Sequence, residues 1–300
     1  MKALRVSAVL LLLLSPASIF AGPPLSHYTI FAEEKVFIGG GSFIQGLVGC
    51  SFVGTTASQR AVTLNAGADI QGDVRSSWHV QLNNGCFVYG TVTHPAGTTI
   101  TMGNPAGVNS DVVGDPEPPS LPAPTLFASG GTSYTGLGNG ATLVLAPGSY
   151  GDLQCGGGCT FTLSAGDYYF DSISTGNGLD LRIGLGGGQT NIYVTGRASF
   201  GSVDVFLING GVPEDVYLES AWTGTGTLPA AFKAGGGSDW IGDVFAPNGD
   251  IHFGGGSCCS SFQGRFWSGK TVDIEHGVTG ESPVPVQATS WGLLKGDYRD

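Results

Sequence analysis

The chain has 300 residues, of which only 12% are charged, a formal net charge of -11 and 52 glycines. An acidic surface repels nucleic acid and anionic lipid, so a phosphate-backbone partner drops out of the reading. Disorder drops out too: Val, Ile, Leu and Phe recur in alternation, which a disordered chain has no reason to keep, and the glycines mark corners between short strands.

Residues 1–21 read as a secretory signal, with Lys2 and Arg5 as the basic start, Ala8 to Leu14 as the apolar centre and Ala21 before Gly22 as the cleavage point. Losing Lys2 and Arg5 moves the formal charge to -13. No later stretch has the length of a transmembrane helix. The expected mature protein is exported without a transmembrane anchor and is secreted, extracellular or cell-surface, with the periplasm as a further destination.

Residues 22–104 carry the first coils. Pairs of apolar residues flanking one other, then a glycine, recur as Val36, Ile38, Gly41; Val62, Leu64, Gly67; and Val80, Leu82, Gly85. A second phrase follows each: Ile44, Gly46, Val48; Ile70, Gly72, Val74; Val88, Gly90, Val92. Period-two alternation places these apolar side chains on one face of short strands. The extra residues around Cys50 to Gln59 read as a loop extruded from a corner. Ile100 and Met102 open a fourth coil, and residues 105–125 are a proline-rich connector, since a strand ladder cannot use consecutive prolines. That connector reads first as a flexible linker and second as a strap along the solenoid.

Residues 126–279 form a second run of coils. The clearest copies stand 18 residues apart at Leu143, Leu145, Gly148; Phe161, Leu163, Gly166; and Leu179, Leu181, Gly184. Residues 219–238 break the rhythm and read as a long loop or irregular cap, and 280–300 are a tail that reads first as a cap on the last coil and second as a sorting signal. No amphipathic helical period appears after the signal. The fold class is therefore all-β, a parallel β-helix (β-solenoid) with coils of about 18 residues, in which each coil gains its core from its neighbours. Asn84-Gly85, Asn139-Gly140 and Asn177-Gly178 keep a β-sandwich or jelly roll as the alternative.

Six cysteines in an exported chain favour disulfides. Cys155 and Cys159 bridge across three glycines; Cys258 and Cys259 form a vicinal pair or reach separate partners, and Cys50 with Cys86 is what remains.

Leu145-Ala146-Pro147-Gly148-Ser149-Tyr150, the run Leu163 to Phe170, Ile192 to Gly196 and Gly242 to Ile251 resemble a bacterial secreted glycine-rich β-solenoid domain of pilus-associated and cell-surface proteins, over residues 140–278. Residues 36–92 look more loosely like the coils of bactofilin-type polymer-forming proteins. The resemblance implies a β-solenoid and carries over no catalytic residues.

Chemistry is sought in outward polar side chains. Asp250, His252, Asp273, Glu275 and His276 flank inward apolar residues on two adjacent coils, and aligning the coils sets His252 beside Asp273. Such a set reads first as a plain solvated strand face, and second as a site for a divalent cation or for acid and base roles on a polysaccharide. Tyr150 and Tyr168, one repeat apart near carboxylates, read first as core or edge packing and second as a platform for sugar stacking. No cofactor and no resident metal are expected. The functional expectation is an exported non-enzymatic structural or surface-interaction protein of cell-surface, adhesion or matrix type, with surface glycans, other surface proteins or copies of itself as partners. A carbohydrate-binding or polysaccharide-cleaving β-helix is the alternative.

Overall fold

The computed structural model describes residues 22–223, 230–255 and 259–283 and is all-β, with parallel ladders throughout and about 11 turns. Parallel pairing rules out the sandwich of hairpins. The expected signal, Cys258 and residues 284–300 lie outside the described residues. Corners are made where glycine is required: Gly41, Gly67 and Gly85 hold φ of 68°, 76° and 74° at one corner of successive coils, a conformation in which a Cβ is strained.

Three sheets make the sides of the solenoid. The first runs, in space, Ile100–Met102, Val80–Leu82, Val62–Leu64, Lys35–Ile38, Thr271–Ile274, Ile251–Phe253, Phe232–Ala234, Ala198–Phe200, Ser172–Thr175, Gly148–Cys155 and Thr132–Leu137. The N-terminal coils therefore stack directly on the last C-terminal one. The second sheet repeats this order, with Phe43–Gln45 between Asp69–Gln71 and Val278–Glu281. In the third, Tyr28–Ala32 lies between Leu47–Cys50 and Phe266–Ser268. Residues 22–104 and 126–279, read from sequence as two halves around a connector, are one stack whose chain order is circularly permuted.

The seam is closely bonded. The Trp267 indole donates to Tyr28 O at 2.9 Å, the Arg265 guanidinium donates to Ser26 O at 3.1 Å, and the Ser42 hydroxyl donates to Glu275 O at 2.9 Å. Arg265 also makes a bidentate pair with Asp243, both side chains being largely buried. The Lys270 ammonium pairs with Glu34 across the same seam.

Permutation requires the chain to return the length of the stack. Strands end at Val113 at one end and resume at Thr132 at the other. Ten strand spacings amount to about 48 Å, and residues 114–131 as polyproline II reach about 56 Å. A proline-rich segment spans that distance without having to be ordered from a flexible coil. The strap is anchored along the third sheet: Arg75 donates to Pro116 O at 3.0 Å, Thr125 bonds Glu219, the Phe127 ring lies 5.2 Å from that of Tyr193, and Gly130 N donates to Tyr150 O at 3.1 Å. It is the strap of the second reading, not the flexible linker of the first.

The strap explains an apolar outer row. On the solvent side of the third sheet, register places Tyr169, Tyr193, Glu219, Phe245, Trp267, Phe31 and Gly49 in line. Tyr28–Ala32 and Asp243–Ala246 are buried at every residue, without alternation. Gly49 is needed there, since a Cβ would stand 2.2 Å from the Tyr28 ring. One side of the solenoid is thus closed, and two stay open.

Coil length departs from expectation. The 18-residue step holds for Val62 to Val80 and Leu143 to Phe161, but Phe161 pairs with Leu181, not Leu179, and Leu181 with Val205. Corner loops absorb the difference. Gly107–Val113 is a strand paired with Phe87–His94, so the connector starts later than residue 105. Phe232–Ala234 is a buried strand within the stretch read as a loop.

Candidate functional site

On the first open sheet, Ile251–Phe253 and Thr271–Ile274 turn Ile251, Phe253, Val272 and Ile274 into the core, each fully buried. Alternation then turns His252, Asp273 and Glu275 outward, and register pairs His252 with Asp273, the neighbours that the aligned phrases gave. The imidazole lies between two carboxylates: Nδ1 is 3.3 Å from Asp273 Oδ2, and Nε2 is 3.3 Å from Glu275 Oε1. His252 is 14% exposed, Asp273 22% and Glu275 35%, so the cluster is sheltered but open to solvent.

Its surroundings fix it. Asp273 is flanked on its other side by Phe37, and the Glu275 backbone is held by its amide to Phe253 O and by its carbonyl from the Ser42 hydroxyl. The cluster therefore sits on the seam where the N-terminal coil joins the C-terminal one. Asp273 Oδ1 is buried without a hydrogen-bond partner.

The other sequence candidates lie elsewhere. Asp250 is buried, and its Oδ1 accepts from Thr271 N at 3.0 Å, a strand-end role in place of an outward one. His276 is exposed in the following turn and is not among the three grouped ligands. Tyr168 is fully buried with its hydroxyl bonded to Ser164 and Leu145 backbone atoms. Tyr150 is partly buried, stacks on Phe170 at 5.3 Å and donates to Ala146 O. These two tyrosines are end packing of the core, so they offer no sugar platform. Inward alternation of Tyr168 and Phe170 leaves Tyr169 as the outward ring, covered by Phe127.

Cys155 and Cys159 are bridged as expected, with Cα atoms 6.7 Å apart. Cys50 and Cys86 are not bridged: each is a buried free thiol, one ending Leu47–Cys50 and the other preceding Phe87–His94 at a different corner. Burial pushes the Cys50 thiol up to about 12. Cys259 is exposed.

Sequence reasoning missed the second open sheet. Its outward rows carry Val144 and Phe206 near one end and Phe87 with Tyr89 near the other, all exposed. Asp180, Asp204 and Asp239 stand in register on successive rungs, Asp204 on the same strand as Phe206. Burial and the carboxylates of Asp239 and Asp180 raise the Asp204 carboxyl above the usual range. The signal was present as alternate residues outside the inward apolar pairs, but their stacking depends on corner lengths.

No helix among the described residues is long and apolar enough to cross a membrane. No family model matches the sequence, and no curated protein matches it. Two solved structures are similar. One is an ice binding protein from an Antarctic biological consortium, 14% identical, with a TM-score of 0.32 over 93% of each chain. The other is an ice binding protein from an Antarctic bacterium, Flavobacteriaceae, 13% identical, with a TM-score of 0.31 over 87% of this chain and 98% of that one.

Proposed function

We propose that the protein is an exported surface-interaction protein that binds an extended, repetitive surface through its second sheet. The observation that carries the reading is where exposed apolar area falls. With the third sheet closed by the strap, Val144 and Phe206 near one end of the second sheet and Phe87 with Tyr89 near the other are exposed, two apolar clusters on one rigid face that an extended ligand can engage together. Strands about 4.8 Å apart repeat the outward positions along the axis, which suits a ligand that is itself periodic.

The test is co-sedimentation of the purified mature chain with insoluble cellulose, chitin, peptidoglycan and ice. Saturable retention on at least one supports the reading; recovery in the unbound fraction from all of them contradicts it. Glycan binding is the more specific reading within this one, favoured by the Phe87 and Tyr89 rings, 6.3 Å apart and inclined by 31°, on which a sugar ring can stack.

A further inference from the structure

We propose that His252, Asp273 and Glu275 form a three-ligand site for a borderline divalent cation of the Zn2+ class. One ligand atom from each residue lies within 4.8 Å of the other two, so a cation among them asks for side-chain rotation and no backbone movement. Imidazole nitrogen with carboxylate oxygens is a donor set such ions accept, and three protein ligands leave a position open to solvent.

Three features of the cluster favour this over a plain solvated face. First, both carboxylates reach the same imidazole, Asp273 at Nδ1 and Glu275 at Nε2, whereas outward charges on a strand normally spread apart into water; a cation held by one ring nitrogen has one carboxylate beside it and gains the other by side-chain rotation. Second, Asp273 Oδ1 is buried without a partner, a costly arrangement that a ligand would relieve. Third, the ligand backbones are rigid: His252 and Asp273 are register partners in a parallel ladder, and Glu275 is pinned by Phe253 and Ser42. Lys233 is in register with His252 on the far rung; its ammonium lowers the affinity expected of the site without supplying a ligand. The inference does not rest on the proposed surface function.

The experiment is calorimetric titration of tag-free mature protein with Zn2+, repeated on His252→Ala, Asp273→Asn and Glu275→Gln, with Co2+ absorption as the second readout. The expected result is one equivalent bound, weakened at least about 10-fold by each substitution, and a Co2+ spectrum without a thiolate charge-transfer band. Thermal melts of the metal-free variants report whether they fold. Absence of one-to-one binding, unchanged affinity in folded His252→Ala, or a thiolate band placing the metal on cysteine would overturn the proposal.

Discussion

Thr125 and Glu219 are 94 residues apart, and both oxygens of the Glu219 carboxylate accept from Thr125, one from its amide and one from its hydroxyl, each at 2.7 Å. Glu219 is fully buried and also accepts from the Tyr217 hydroxyl at 2.9 Å. Burial, then this carboxylate, raises the Tyr217 phenol strongly, so it stays a donor at any working pH. The latch holds the strap against the aromatic row. Replacing Glu219 by Ala is expected to cost about 3 kcal/mol, from charge-assisted bonds lost and donors left buried. Limited proteolysis should then cut the variant within residues 117–126 while the solenoid core persists; a melt equal to that of the unmodified chain would contradict the latch.

Arg265 and Asp243 secure the seam. Desolvation raises the Asp243 carboxyl, and the pair with Arg265 opposes that shift. Arg265→Met leaves Asp243 buried without its cation and frees Ser26, so a loss of about 3–5 kcal/mol is expected. Asp243→Asn in the same chain should recover part of it. Denaturant unfolding of the three variants measures the coupling, and simple additivity would contradict it.

The acidic row of the second sheet gives a pH dependence of definite sign. The folded carboxyl of Asp204 is raised above its unfolded value by burial, Asp239 and Asp180. The folded state therefore binds this proton more tightly, and stability falls as pH rises from the ordinary carboxylate range through the folded value. Asp204→Asn should match the unmodified chain at low pH and melt higher at neutral pH. A variant that melts lower at neutral pH would contradict this.

Buried thiols are expected to be inert. With its thiol pushed up to about 12 by burial, Cys50 carries almost no thiolate at neutral pH. Iodoacetamide should leave Cys50 and Cys86 unmodified in the folded protein and label both in denaturant, as peptide mapping would show.

Much of the fold was legible because it is local. Inward pairs such as Val62 and Leu64, the corner glycines and the Cys155 to Cys159 bridge all follow from residues close in sequence. The permuted order was not, since a coil looks the same whether Tyr28–Ala32 begins the stack or is inserted beside Phe266–Ser268. Prolines 116–124 signalled an extended segment, but its covering role required the Phe31, Phe245 and Trp267 row, whose members meet only after the seam forms. For the site, alternation placed His252, Asp273 and Glu275 outward, and the reading of Tyr150 and Tyr168 as packing residues agrees with the full burial of Tyr168.

The claim that the second sheet is the binding face is tested most directly by comparing two variants on the surface that retains the unmodified chain best. Phe87→Ser with Phe206→Ser alters the second sheet at both ends, and Thr63→Lys with Ser199→Lys alters the first. The account predicts at least about 10-fold weaker retention for the first variant and unchanged retention for the second, with both melting cooperatively. Retention lost only in the Thr63 and Ser199 variant would contradict it.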